Sequence, residues 1–255
     1  MIVESLYPEV ANLYGEQANV RYLKQSCNCT VIETSLNEKP AFLSGGKVDL
    51  VYLGTLTERG QELVVERLKP FRDDLVNAIE KGQRFLVTGN ALEVFGSGIT
   101  DLDTELMEDG ASTFTECLDI FHFHTERRML HRFNSLYHGK FVCSGEGEKS
   151  GIETDIVGFK SQFTQSYWDE KPEPLFSNVR GEGFGTENSG EGIWYRNFMA
   201  TYIIGPLLVV NPPFTKWLMV ECGVGTPRLA MEDASMDAYR QRLREYSEPD
   251  RGFVY

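Results

Sequence analysis

A corner of small residues, Thr88-Gly89-Asn90, follows the apolar run Phe85-Leu86-Val87 and precedes helix-like apolar spacing at Leu92, Phe95 and Ile99. Strand, tight turn and helix in that order make the corner where open α/β sheets place nucleophiles and ligands. No Cys, Ser or His stands on it. Thr88 offers a hydroxyl, yet a Thr nucleophile works only beside a base. Asn90 offers an amide. Glu93 offers a carboxylate that either binds an amine or cation or simply faces the dipole of the helix it begins.

The other chemistry-bearing residues are scattered. His122-Phe123-His124, with His131 and His138 further on, is the single histidine cluster. On a strand His122 and His124 share a face, which is half of a metal site or a base for some reaction. Mixed with Glu126, Arg127, Arg128 and Arg132, the pair fits a solvated strand edge better. The five cysteines (Cys27, Cys29, Cys117, Cys143 and Cys222) form an odd, dispersed set, expected to be reduced thiols in a cytosol. Cys27-Asn28-Cys29 is half of a metal site with no second pair to complete it. Cys117 and Cys143 follow no strand–turn–helix signature and read as buried or incidental thiols. No metal and no cofactor is expected.

Positioning these groups requires a sheet. Residues 29–33 and 48–53 read as strands, the second an almost unbroken apolar run suited to a parallel strand covered on both faces. Residues 54–60 then form a loop. Residues 62–81 make an amphipathic helix with Leu63, Val64, Leu68, Phe71, Leu75 and Ile79 inward, interrupted at Pro70 and ended by Gly82. A strand at 85–87 completes a βαβ unit with a right-handed crossover. Earlier, Val10, Leu13, Tyr14, Val20 and Leu23 recur at near-helical spacing around a bend at 15–19.

Beyond residue 100 the texture changes to shorter strands, at 118–125, 128–137, 140–142 and 154–159. The Gly-, Glu- and Asn-rich stretch 178–195 is a loop or hairpin that could close over a ligand. An apolar strand is expected at 198–210, then helices at 214–221 and 231–246, the last solvated and docked on the domain. No repeat or linker divides the chain, so the expectation is one α/β domain over 1–255. Its formal charge of −13 excludes a binder of nucleic-acid backbones. With no apolar run of about 18 residues and no leader, neither a membrane span nor a secretory signal is expected, and the location is cytoplasmic.

Leu6-Tyr7-Pro8, Asn12-Leu13-Tyr14-Gly15 and Asn19-Val20 resemble the opening of class I glutamine amidotransferases of the cobyric-acid-synthase type. Within that family they resemble the glutaminase subunits of lipid II isoglutaminyl synthases. Residues 49–54 with Glu58-Arg59-Gly60-Gln61 resemble the family's Gly-rich loop, and the turn through Phe95-Gly96 resembles its nucleophile elbow. Gly158-Phe159, the run 200–208 and Asn211-Pro212 resemble its closing segments. The pieces run from about residue 6 to about 218 in the family's order. The resemblance implies a class I amidotransferase-like, flavodoxin-like fold: a mostly parallel sheet with helices on both faces.

It also implies a chemistry, the hydrolysis of the glutamine side-chain amide with delivery of ammonia to a partner. That reaction needs a Cys thiolate on the elbow, a His to carry its proton, and backbone N–H groups to hold the oxyanion. Counted back from Gly96, the Cys position is Gly89, or Thr88 with a slip of one; the His position is Ile204. Glu93 replaces the usual Gln after the elbow, and Thr55 and Leu56 replace glycines after Gly54. Gly54, Thr55, Asn90 and Glu93 are the positions expected to face a ligand. Losing nucleophile and base together costs on the order of 10⁶ in rate. The expectation is therefore a degenerate amidotransferase, a scaffold or regulatory subunit beside a Mur-ligase-like or cobyric-acid-synthase-like partner. The alternatives are an amide hydrolase using Thr88, Glu93 or the His122/His124 pair, and a sensor that binds glutamine or a related small molecule.

Overall fold

The computed structural model describes residues 1–103, 105, 113–144, 151–169, 173–185, 190–248 and 250–251. Its frame is a six-stranded sheet built from β1 (Ile2–Leu6), β2 (Thr30–Thr34), β3 (Leu50–Leu53), β4 (Phe85–Thr88), β13 (Ile193–Tyr195) and β14 (Phe198–Thr201). The strand order is β13-β14-β4-β3-β1-β2, parallel throughout except where β13 runs against β14. Every residue of β3, β4 and β14 is buried, as expected of parallel strands covered on both faces.

Helix α1 (Ala18–Cys27) carries the chain from β1 to β2. Helices α2 (Glu58–Leu68) and α3 (Arg72–Glu80) carry it from β3 to β4. Pro70 lies in the 3₁₀ turn between α2 and α3, because a ring nitrogen cannot donate inside a continuous helix. Two apolar layers result. One sets Val64, Leu68, Leu75 and Ile79 against Val51, Leu53, Phe85 and Val87. The other sets Val20 and Leu23, with helices α4 (Leu207–Val210) and α5 (Pro212–Glu221), against Val3, Leu50, Tyr52 and Leu86.

Two smaller four-stranded sheets occupy the middle of the sequence. One holds β5 (Gly98–Asp101), β6 (Thr113–Glu116), β7 (Phe123–Arg127) and β10 (Thr164–Trp168). The other holds the long hairpin of β8 (Phe133–Cys143) and β9 (Ile152–Gln162) with β11 (Phe176–Arg180) and β12 (Gly190–Glu191). Helix α6 (Glu232–Ser247) packs on β8 and β9, where Tyr239 Oη donates to the Asp155 carbonyl at 2.9 Å.

Several expectations are corrected. The stretch after the corner is a 3₁₀ turn, Gly89–Phe95, and Ile99 belongs to β5. The turn ends at Gly96, whose backbone is extended (φ −78°, ψ −174°) and packs so closely that a Cβ there would come within 2.7 Å of the Phe123 ring. The strand expected over 198–210 ends at Thr201 and gives way to α4, with Ile204 held in an isolated antiparallel bridge to Phe159. The strands expected at 128–137 and 140–142 are one, β8, because the turn falls before Phe133. The 118–125 strand starts late, at Phe123. Stretch 178–195 carries β12 and β13, with 186–189 outside the described residues. Strand β1 was not expected, because Glu4 and Ser5 interrupt its apolar pattern. Both are fully buried, and Glu4 accepts from Thr34 Oγ1 (2.6 Å) and from the N–H groups of Ala41 (2.6 Å) and Phe42 (2.9 Å).

Candidate functional site

With β1 next to β3 and the chain winding outward from that pair, the carboxyl edge of the sheet is a topological switch point, where such sheets form clefts. A cavity of about 210 Å³ lies there. Its walls come from the loops after four parallel strands: Leu13 and Tyr14 after β1, 55–58 after β3, Gly89 and Asn90 after β4, and Tyr202 and Ile204 after β14. Arg127, Arg132 and 161–164 close the opposite side. The volume lies below the ~300 Å³ at which drug-sized pockets begin, so only a small molecule fits. None of the lining residues is Cys or His, and the described residues include every cysteine and histidine of the chain.

The corner keeps the backbone of a nucleophile elbow without a side chain on it. Gly89 has φ +64°, a left-handed conformation that side-chain-bearing residues adopt only under strain. A Cβ on Gly89 would lie 2.2 Å from Thr55 Oγ1 and 2.8 Å from Thr55 Cγ2. Thr55 therefore fills the place where a residue-89 side chain would point. Its own hydroxyl is buried and has no hydrogen-bond partner.

Asn90 closes the same junction from the other side. Its Oδ1 accepts from Leu56 N–H and its Nδ2 donates to Leu56 carbonyl, both at 2.9 Å. A backbone N–H at this loop would be the natural donor to a developing oxyanion. Here the Leu56 N–H is already engaged. Opposite, Ile204 presents a hydrocarbon side chain that cannot transfer a proton.

The remaining expected residues lie behind the walls. Thr88 Oγ1 sits 2.9 Å from Tyr52 Oη, on the sheet face that also holds Glu16 and Asn19, and does not line the cavity. Glu93 is fully buried. Its Oε1 accepts from Thr164 Oγ1 (2.6 Å) and Tyr202 Oη (3.0 Å), and its Oε2 from Gln61 Nε2 (2.7 Å). Burial raises its carboxyl above the ordinary range, opposed by these hydrogen bonds and by Arg127. Gly54 packs against the Ala11 carbonyl, where a Cβ would come within 2.7 Å. Of the four positions expected to face a ligand, Thr55 and Asn90 line the cavity, whereas Gly54 and Glu93 are absent from the lining.

His122 and His124 are exposed, and His124 Nδ1 pairs with Asp169 at 3.5 Å while its ring stacks on Tyr167. Among the described residues no group of three or more His, Cys, Asp or Glu side chains could hold a metal. The Cys117 thiol is buried and pushed up to about 12 by desolvation and by Glu93, so it is no nucleophile at neutral pH.

Sequence reading missed four participants. Arg127 is held by Asp101 at 2.7 and 3.0 Å and reaches the cavity from β7. Arg132 stacks over the Phe163 ring at 4.4 Å. Tyr202 links Glu93 to the cavity wall, and Lys160 is buried against Glu191 at 3.8 Å beneath the Tyr202 ring. Burial lowers the Lys160 ammonium and raises the Glu191 carboxyl. Arg127 and Lys160 stand as charges within β7 and β9, whereas Arg132 precedes β8 and Tyr202 follows β14, so no single pattern in the sequence marks all four.

The CobB/CobQ-like glutamine amidotransferase domain matches residues 2–211. The GatD subunit of lipid II isoglutaminyl synthase (glutamine-hydrolyzing) from Staphylococcus aureus strain N315 is 30% identical over 212 residues, 82% of this chain and 78% of that protein. The corresponding subunit from Streptococcus pneumoniae strain ATCC BAA-255 / R6 is 21% identical over 214 residues, 82% of this chain and 75% of that one. A crystal structure of a glutamine amidotransferase superposes with a TM-score of 0.48 at 10% identity, covering 87% of this chain and 99% of that chain.

Proposed function

The chain belongs to the CobB/CobQ-like glutamine amidotransferase family, and from that premise we propose that it is a non-catalytic member, one amidotransferase-like domain over 1–255 that works by association. The observation that carries this reading is the interlock at the elbow. The expected nucleophile position falls on Gly89, or on Thr88 with a slip of one, and Thr55 stands where a residue-89 side chain would go. Ile204 at the base position and the engaged Leu56 N–H support it further. Three parts of one reaction are altered together, and their losses do not compensate one another.

The GatD proteins are subunits of a glutamine-hydrolyzing synthase, so the partner proposed here is a Mur-ligase-like or cobyric-acid-synthase-like synthetase. The chain would serve it as scaffold or regulator. No helix among the described residues is long and apolar enough to cross a membrane. The decisive experiment incubates the purified chain with glutamine and follows ammonia. No release above the buffer rate is expected, and steady release abolished by Thr88→Ala would overturn the proposal.

One observation favours a second reading, capture without turnover. The partnerless Thr55 hydroxyl shares the cavity with Arg132 and Glu58, which offer opposite charges to a zwitterion. Glutamine or a related amino acid would then be a signal rather than a substrate. Calorimetric titration with glutamine should yield heat that Arg132→Ala diminishes; no heat at millimolar ligand sinks this version.

A further inference from the structure

At the opposite edge of the sheet, three sulfur-bearing residues from separate elements share one apolar layer. Helix α1 ends at Cys27. Asn28 then takes a left-handed conformation (φ 49°, ψ 40°) that turns the chain straight back into Cys29 and β2. Strand β2 pairs in parallel with β1 from Ile2↔Thr30 onward, and Thr30 N–H donates to the Met1 carbonyl at 3.1 Å. That register sets Met1 beside Cys29. Cys27 Sγ lies 3.9 Å from Met1 Sδ. The Cys29 side chain is buried in the apolar layer against which Met1 and Cys27 also pack.

We propose that Met1, Cys27 and Cys29 form a three-sulfur site for a soft monovalent cation, with copper(I) as the ion its ligands fit. Thiolate and thioether sulfur select copper(I) over harder ions. Three sulfurs around an ion at about 2.3 Å would sit about 4 Å apart, close to the 3.9 Å separation of Cys27 and Met1. Zinc is disfavoured, because structural zinc takes four nitrogen or sulfur ligands and no fourth side chain of that kind joins the cluster among the described residues. Cys29 is buried and Cys27 half-buried, so the ion enters from the Cys27 side.

Binding displaces both thiol protons: one copper(I), two thiols and one thioether give a bis-thiolate complex and two protons in solution. No electron is transferred. The site lies outside the cavity at Gly89 and does not depend on the function proposed for that cavity.

The test is an anaerobic titration of the full chain with copper(I) presented as its bicinchoninate complex. One equivalent should leave the coloured chelate, with two protons released and sulfur neighbours at about 2.3 Å in X-ray absorption. Cys27→Ser should weaken binding at least 100-fold. Its half-buried position keeps the variant folded, which circular dichroism checks, and Cys143→Ser serves as a control that leaves binding unchanged. Copper that stays with the chelate, or a Cys27→Ser titration that overlays the wild type, overturns the site.

Discussion

The two edges of the six-stranded sheet make opposite use of their positions. At the carboxyl edge, loops after four parallel strands surround a cavity, and no sulfur lines it. At the amino edge, the end of α1 and the starts of β1 and β2 pack Met1, Cys27 and Cys29 into the apolar layer. Strand ends, rather than residue inventories, decide what each group can do. Loops leaving the carboxyl ends splay at the switch point and expose backbone donors; loops at the amino ends are short returns from helices. A thiol at the wrong edge cannot take up the work missing at the other.

That contrast can be attacked most forcefully at Gly89. Putting a thiol there with Gly89→Cys is expected to destabilise the fold by about 2–5 kcal/mol, from the clash with Thr55 and the left-handed backbone. Urea unfolding measures it, and Thr55→Gly in the same chain should recover at least half. A Gly89→Cys protein as stable as wild type would mean that the carboxyl edge has room for sulfur after all. Neither variant should release ammonia from glutamine, since Ile204 supplies no base.

Next in size is Glu93, whose removal as Glu93→Ala strands three donors and should cost about 2–4 kcal/mol. Its pH signature has a definite sign. The folded carboxyl lies above its unfolded value, so its contribution is complete below the unfolded range and is lost as pH rises through the folded one. Glu93→Gln should therefore gain on wild type as pH rises above the ordinary carboxylate range in paired melting curves. A constant difference across that rise would show that the carboxyl does not titrate there.

Asn90→Ala opens the clasp on Leu56 and should cost about 1–2 kcal/mol, while freeing an N–H toward the cavity. Amide exchange at Leu56 measures the opening, and unchanged protection would mean the clasp is dispensable. At the small end, His124→Ala should stay within about 0.5 kcal/mol, because its ring and its partner Asp169 are both largely exposed. A larger loss would give the histidine pair a role the exposed strand does not suggest.

The sheet was legible where burial is uniform. The apolar run 48–53 and the amphipathic stretch 62–81 with its break at Pro70 correspond to β3, α2 and α3. It was illegible where polar groups are buried and satisfied by distant partners. Glu4 hid β1, although its three donors come from residues 30 to 38 positions away. Gly89 and Ile204, as the positions expected to match the family's Cys and His, could be counted off the sequence, but Thr55 as an obstacle could not. Nothing in the one-dimensional order says that a loop hydroxyl and a bend 34 residues later compete for one volume. Glu93 misled for a related reason, because helix-start position says nothing about which side of a wall a carboxylate occupies.

The meeting of Thr55 and Gly89 has one more consequence. Any path to a thiol at this bend must change two codons, and the order matters. Sulfur first meets a threonine already in residence; clearing the threonine first leaves an unfilled gap with nothing gained. Each first step is uphill, so the interlock behaves as a ratchet that admits neither change alone.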